Sequence, residues 1–236
     1  MIDFHSHVLP GMDDGSDSLD TSLDMLRESF YQGVNVICAT SHFYADEEDP
    51  RSFLERRDRA FSRLLGAIDG DDCPRILPGA EVLYFPGISV AREIRALCLR
   101  GTPFLLIEPP MMPWSDSMLD EIAQCRETLG CVPVVAHVDR YMRMLNDFSL
   151  IDRVNERKLL AQVNASFFLY RRTQDFAVNC LRQGKFQFLG SDCHDLRSRG
   201  PNMGDAEAVI REAGAAGYFA NLNEKLYCAL SKSTAT

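Results

Sequence analysis

The chain has 236 residues, 46% of them hydrophobic, enough for one globular domain over 1–236 with a sizeable core. Its formal net charge of −9 argues against a nucleic-acid partner, which normally needs a basic face. The longest apolar runs, around 104–107 and 132–136, are too short to span a bilayer, so no membrane insertion is expected.

Residues 2–4 predict a short strand running straight into His5-Ser6-His7. On extended backbone, residues i and i+2 point to the same side, so both imidazoles can reach one metal ion. Pro10, Gly11 and Asp13-Asp14-Gly15 then turn the chain and set carboxylates beside the rings. Ser18 is positioned to cap a helix carrying Leu19, Leu23, Leu26 and Phe30 on one face, stopped by Gly33. A strand over 34–39 delivers Thr40-Ser41-His42. The acids at 46–49 with Pro50 read as the solvated start of the next helix, whose buried face carries Leu54, Phe61, Leu64, Leu65 and Ile68.

A strand over 75–77 leads through Gly79-Ala80 to Glu81, and a helix is expected near 90–99. A strand over 103–107 ends in Glu108 and a proline-rich loop, 109–114. A helix over 115–129 precedes a strand over 132–136 that ends in His137. A helix near 148–158 precedes a strand over 160–163 ending in Asn164. A helix over 174–183 leads to a strand over 186–189 and then Gly190-Ser191-Asp192-Cys193-His194. Helices over 205–216 and 222–230 close the chain.

Seven strand-then-helix units predict a single α/β domain with parallel strands, best explained as a distorted TIM-like barrel. In such barrels the loops at the C-terminal ends of the strands form one mouth, where the metal site is expected. An open doubly wound sheet is the alternative, and would scatter those loops along an edge. The eight cysteines contain no Cys-x-x-Cys spacing, which predicts reduced, buried thiols. With no signal peptide ahead of His5, a cytoplasmic location is expected.

All five histidines (His5, His7, His42, His137 and His194) lie just beyond predicted strands, as do Glu81, Glu108 and Asp192. Parallel strands would bring them, with the carboxylates at 13–14, to one mouth. Imidazoles and carboxylates without an obvious thiolate suit Mn²⁺, Fe²⁺ or Zn²⁺. So many ligands imply two or three ions, able to hold a bridging hydroxide and neutralise phosphoryl oxygens. The expected chemistry is phosphoester hydrolysis.

The stretches 5–15, Ala39-Thr40-Ser41-His42, Gly79-Ala80-Glu81, Leu106-Ile107-Glu108, Ala136-His137-Val138-Asp139-Arg140-Tyr141 and Ser191-Asp192-Cys193-His194 resemble the PHP (polymerase and histidinol phosphatase) superfamily. Within it they are most similar to the bacterial manganese-dependent tyrosine-protein phosphatases of capsule and exopolysaccharide loci. The resemblance implies the PHP fold and a trinuclear site. By position, His5, His7, Glu81 and Asp192 would hold one ion, and Glu81 would bridge to a second held by Glu108 and His137. Asp14, His42 and His194 would hold the third, with Asp13 an adjacent carboxylate able to exchange roles with Asp14. Arg140 and Arg199 match arginines that face the substrate phosphate, where a guanidinium grips two oxygens as a fork.

The implied partner is a phosphotyrosine protein, such as the tail of a polysaccharide-assembly tyrosine kinase. The alternative is a small-molecule phosphatase of the histidinol-phosphate type. Two departures from the family pattern, Phe43-Tyr44 after His42 and Val138-Asp139 after His137, bear on substrate choice. A competing motif, Cys193 to Arg199, fits Cys-x₅-Arg of the thiol-dependent tyrosine phosphatases, but it lacks glycine and places an acid beside the thiol. Residues 111–114 and 167–172 are candidates for an aromatic and cationic rim, although core packing accounts for most of those rings.

Overall fold

Every strand pairing in the computed structural model is parallel, as the alternation of strands and helices requires. The structure describes residues 1–232. Among them nine strands form: β1 (Ile2–Ser6), β2 (Val36–Ala39), β3 (His42–Phe43), β4 (Arg75–Pro78), β5 (Glu81–Leu83), β6 (Phe104–Glu108), β7 (Val132–Val135), β8 (Leu160–Asn164) and β9 (Phe188–Gly190). They pair in the orders β1-β2-β4 and β3-β5-β6-β7-β8-β9. A parallel bridge between Ser6 and Cys193 brings the two sets together, with hydrogen bonds from Asp192 N to His5 O (2.8 Å) and from His7 N to Cys193 O (2.9 Å). The result is an α/β fold with a curled parallel sheet.

Nine strands stand where seven are expected because two of them break and change neighbours. β2 gives way at Thr40-Ser41 to β3, and β4 gives way at Gly79-Ala80 to β5. Gly79 N donates to Ala39 O and Glu81 N to Ser41 O, so the ladder passes through both breaks.

The helices are α1 (Leu19–Tyr31), α2 (Pro50–Ala67), α3 (Asp116–Thr128), α4 (Val138–Leu145), α5 (Leu150–Glu156), α6 (Ser166–Leu169), α7 (Gln174–Gln183), α8 (Met203–Glu212) and α9 (Ala216–Lys232). Ser18 caps α1 and Asp49 caps α2, with Pro50 at the first helical position. The helix expected near 90–99 is replaced by two short 3₁₀ turns, Ile88–Val90 and Arg92–Leu97. There Leu99 N and Arg100 N are recruited by Phe104 O and Pro78 O at 2.8 and 2.9 Å, which competes with a continuous helix. α4 is absent from the sequence-based expectation. Its eight residues follow a strand end directly, too few for a clear 3.6-residue period.

Two apolar layers flank the sheet. The larger joins the outward faces of the strands to the helices, through residues such as Ile37, Leu105, Ile107, Ala161 and Val163. The smaller lies within the curl and contains Ile2, Phe4, Val36, Cys38, Leu106, Val134 and Phe188. Leu226 and Leu230 of α9 join it, and Asn223 of the same helix accepts a hydrogen bond from Ile2 N (2.9 Å), at the N-terminal start of β1. By strand alternation Leu106 and Glu108 share the inner face of β6, and Leu160, Gln162 and Asn164 that of β8. The inside is therefore apolar at the N-terminal ends of the strands and polar at the C-terminal ends.

In β1 the register slips by one residue between Asp3 and Ser6. Such a bulge re-aims side chains. Phe4 packs within the curl, and His5, its immediate neighbour, turns inward as well and meets Glu81.

Candidate metal centre

The structure brings all nine expected ligands to one mouth: His5 lies in β1, His42 and Glu81 open β3 and β5, Glu108 ends β6, and His7, Asp14, His137, Asp192 and His194 stand in the connections that follow strands. His5 Nε2, His7 Nε2 and Glu81 Oε2 form a triangle with sides of 3.1, 3.0 and 3.2 Å. Asp192 Oδ1 lies 3.7 Å from His5 Nε2 and 3.6 Å from His7 Nε2. The other oxygen of Glu81 is 2.8 Å from His137 Nε2, which is 3.3 Å from Glu108 Oε1. His42 Nδ1 is 3.3 Å from Glu81 Oε2 and 3.7 Å from Glu108 Oε2. Asp14 Oδ1 sits 3.5 Å from His42 Nε2 and 3.3 Å from His194 Nε2.

These spacings fit metal ions. Ligand atoms around a single ion at about 2.1 Å are separated by about 3.0–3.4 Å, as in the first triangle. Three groupings have donor atoms close enough to share an ion: His5–His7–Glu81, His42–Glu81–Glu108 and His7–Asp14–His42–His194. The buried His42 Nδ1 and His194 Nε2, which face carboxylates of this cluster, have no hydrogen-bond partner, an unusual cost unless a ligand engages them.

Electrostatics point the same way. Burial works against charge on His7, but Asp13 and Glu81 outweigh it and raise the imidazole to about 10. Burial likewise opposes charge on His137, yet Glu108 and Glu81 raise it to about 9. Burial would lift Glu81, but His5, His137 and His7 hold it well below the usual carboxylate range. This pocket of fixed negative charge recruits cations, or protons in their place.

Outer contacts set the rings. Asp13 Oδ2 accepts from His7 Nδ1 (2.9 Å) and from His42 N (2.8 Å), so it orients two histidines while Asp14 reaches into the cluster. Gln162 Oε1 lies 3.2 Å from His5 Nδ1 and accepts from His137 N at 2.6 Å. Asn164 Nδ2 donates to Asp192 Oδ2 at 2.9 Å. Asp3 accepts from Ser191 N and Oγ at 2.8 and 2.6 Å, tying β1 to the loop that carries Asp192. Sequence reasoning missed Asp3, Gln162 and Asn164 as positioning residues. The available signal was alternation, since Gln162 and Asn164 are polar residues two apart on an otherwise apolar strand.

The backbone is shaped for this packing. His137 and Asp192 both have positive φ, 28° and 55°, a costly conformation that their surroundings enforce. Gly190 is required by close approach, because a Cβ there would lie 2.6 Å from His5 Cβ.

Arg140, on α4, pairs with Asp192 Oδ2 and lies 3.6 Å from Glu108 Oε1. Arg199 donates to Asp192 Oδ1 at 3.0 Å and lies 3.5 Å from Asp14 Oδ2. Two partly exposed guanidiniums thus flank one carboxylate at the open side of the cluster. Cys193 is fully buried, and its thiol is pushed up by burial and by Asp3, opposing a thiolate. Of the expected rim, Met111, Met112, Tyr170, Arg171 and Arg172 are exposed, whereas Trp114, Phe167 and Phe168 belong to the core. Among the described residues no helix is long and apolar enough to cross a membrane.

A "Tyrosine-protein phosphatase CpsB" of Streptococcus agalactiae serotype V is 29% identical over 228 residues, covering 89% of each chain. "Tyrosine-protein phosphatase YwqE" of Bacillus subtilis is 26% identical over 226 residues, covering 90% of this chain and 84% of its own. Among solved structures, one from a study of YwqE from Bacillus subtilis and CpsB from Streptococcus pneumoniae, described as metal-dependent tyrosine phosphatases, superposes with a TM-score of 0.83. That match has 25% identity and covers 98% of this chain and 94% of the other. A family model described as capsular polysaccharide synthesis, CpsB/CapC, matches residues 1–225, and the chain belongs to that family.

Proposed function

We propose that this chain is a metal-dependent tyrosine-protein phosphatase that hydrolyses phosphomonoesters on phosphotyrosine proteins in the cytoplasm and serves capsular polysaccharide synthesis. The observation that carries this reading is the convergence of five imidazoles and four carboxylates on one mouth flanked by two guanidiniums. The named activity of the relatives supports it. Mn²⁺ suits the mixed nitrogen and oxygen donors, and Fe²⁺ or Zn²⁺ would also fit. His5, His7, Glu81 and Asp192 would hold one ion, Glu81, Glu108 and His137 a second, and Asp14, His42 and His194 a third. Such ions activate water at neutral pH and neutralise phosphoryl oxygens.

The chain's own residues do the rest. Arg140 and Arg199 exchange part of their hold on Asp192 for the phosphoryl oxygens, binding the dianion as forks and stabilising its charge during transfer. Asp13 and Gln162 keep the His7 and His5 rings turned inward. No side chain need donate a strong proton, because a phenolate is a fairly good leaving group. The substrate is a phosphorylated segment of a protein, with the tail of a polysaccharide-assembly tyrosine kinase the partner of choice.

The test is turnover of a phosphotyrosine peptide with added Mn²⁺, with chelator, and beside histidinol phosphate. Manganese-dependent release from the peptide, lost with chelator and exceeding that from histidinol phosphate, is expected. Preference for histidinol phosphate would overturn the assignment in favour of a small-molecule phosphatase.

A further inference from the structure

A second basic pocket lies on the same helix as Arg140. It is lined by Arg143, Asn146, Phe148, Tyr170, Arg171, Arg172 and Thr173 and encloses about 530 Å³. Three of its seven lining residues are arginines and none is acidic, on a chain whose net charge is −9. Among the described residues, neither Arg171 nor Arg172 has an ion-pair partner, and both are exposed. Arg143 is partly engaged, 3.4 Å from Asp139 Oδ2 and stacked 4.3 Å above the Tyr170 ring. Tyr170 itself is 48% exposed. Exposed arginines without carboxylate partners beside a half-exposed ring make a surface able to take an anion that carries an aryl group.

Placement links this pocket to the metal centre. α4 begins directly after His137, and Arg140 and Arg143 are one turn apart on it, about 5–6 Å between Cβ atoms. Arg140 reaches to Asp192, and Arg143 reaches to Tyr170, just beyond the helix that follows β8. The two basic positions are therefore neighbours on α4, one turned to the metal centre and the other to the second pocket. We propose that this pocket holds a second phosphotyrosine of the same substrate segment while the first occupies the metal centre. Three guanidiniums match a phosphate dianion better than a single carboxylate, and Tyr170 and Phe148 offer its ring apolar surface. In an extended segment, residues two or four apart are separated by about 7 or 13 Å on one side of the chain, so the two spacings offer different reaches for the test to compare. This rests on the phosphotyrosine reading of the centre.

The test measures binding of fluorescent peptides to manganese-loaded protein by anisotropy, with non-hydrolysable phosphonate analogues of phosphotyrosine. Four peptides are compared: one analogue alone, two analogues spaced by two, two spaced by four, and one analogue with glutamate at the second position. The better doubly substituted peptide should bind about 10-fold tighter than the single one, because the second contact is intramolecular. Arg171→Glu with Arg172→Glu should abolish that gain while leaving the melting temperature unchanged. Equal affinity of single and double peptides for the unaltered protein would overturn the proposal, as would a gain that survives the charge reversal. A glutamate peptide gaining as much as the double analogue would also overturn it, showing a pocket that reads acidity alone. These binding results are independent of turnover, so a failure to hydrolyse any phosphotyrosine peptide counts against the activity and not against the pocket.

Discussion

His5 Nε2 and His7 Nε2 face one another at 3.1 Å, and each ring is held with that nitrogen's lone pair turned inward. Gln162 Oε1 takes the Nδ1–H of His5, and Asp13 Oδ2 takes that of His7. Gln162 cannot flip to relieve the arrangement, because its Nε2 already donates to Val163 O at 2.8 Å. Two opposed lone pairs beside a carboxylate oxygen need a cation, and when no metal is bound a proton serves.

Proton competition sets the first prediction. His7 and His137 are raised to about 10 and about 9, above their ordinary 6.5. Their protonation therefore stabilises the metal-free fold fully below pH 6.5, and that contribution is lost as pH rises through 9–10. Metal loading must displace these protons. Calorimetry in buffers of different ionisation enthalpy should record proton release at neutral pH. The melting temperature of chelated protein should fall between pH 7 and 10, and that of the loaded protein should fall less.

Gln162→Leu removes the acceptor that orients His5 and the backbone of His137. Loss of such an outer partner costs about 10–100-fold in metal affinity, measurable by competition with a fluorescent chelator. Unchanged affinity would mean that packing alone holds the ring.

Gly190→Ala forces a Cβ to 2.6 Å from His5 Cβ and 2.8 Å from His5 N, so β1 and β9 must part. Overpacking of this kind costs about 1–3 kcal/mol. Denaturant unfolding should show that loss together with weaker metal binding.

Arg199→Lys keeps the charge but loses the fork, and turnover of a phosphotyrosine peptide should fall about 10-fold or more, since one forked charge pair is worth one or more kcal/mol. Metal content should stay unchanged. A variant with full kcat/KM would remove Arg199 from the reaction.

Cys193→Ser should keep most of the activity, because the thiol is fully buried and held protonated. A dead variant with a full metal complement would reinstate a thiol nucleophile.

The helix starts and the polar strand ends were legible because they depend on local spacing: Ser18 caps α1 where the sequence places it, and α2 opens at Pro50 after the acidic run. The convergence of His5, Glu81 and His137 followed from the strand-then-helix order alone. Features that depend on neighbours were not legible. The slip in β1 exists only against β2. The division of strands at Thr40-Ser41 and Gly79-Ala80 reflects a change of partners. The pairing of Arg140 and Arg199 with the two oxygens of Asp192 brings helix α4 to the loop after β9, 52 residues away in sequence.

Leu226 and Leu230 plug the inner apolar layer at the start of β1. An anion released at the polar end finds greasy packing behind it and must leave by the way its parent ester entered. Inorganic phosphate should therefore act as a competitive inhibitor, and exit past Arg140 and Arg199 becomes part of each catalytic cycle.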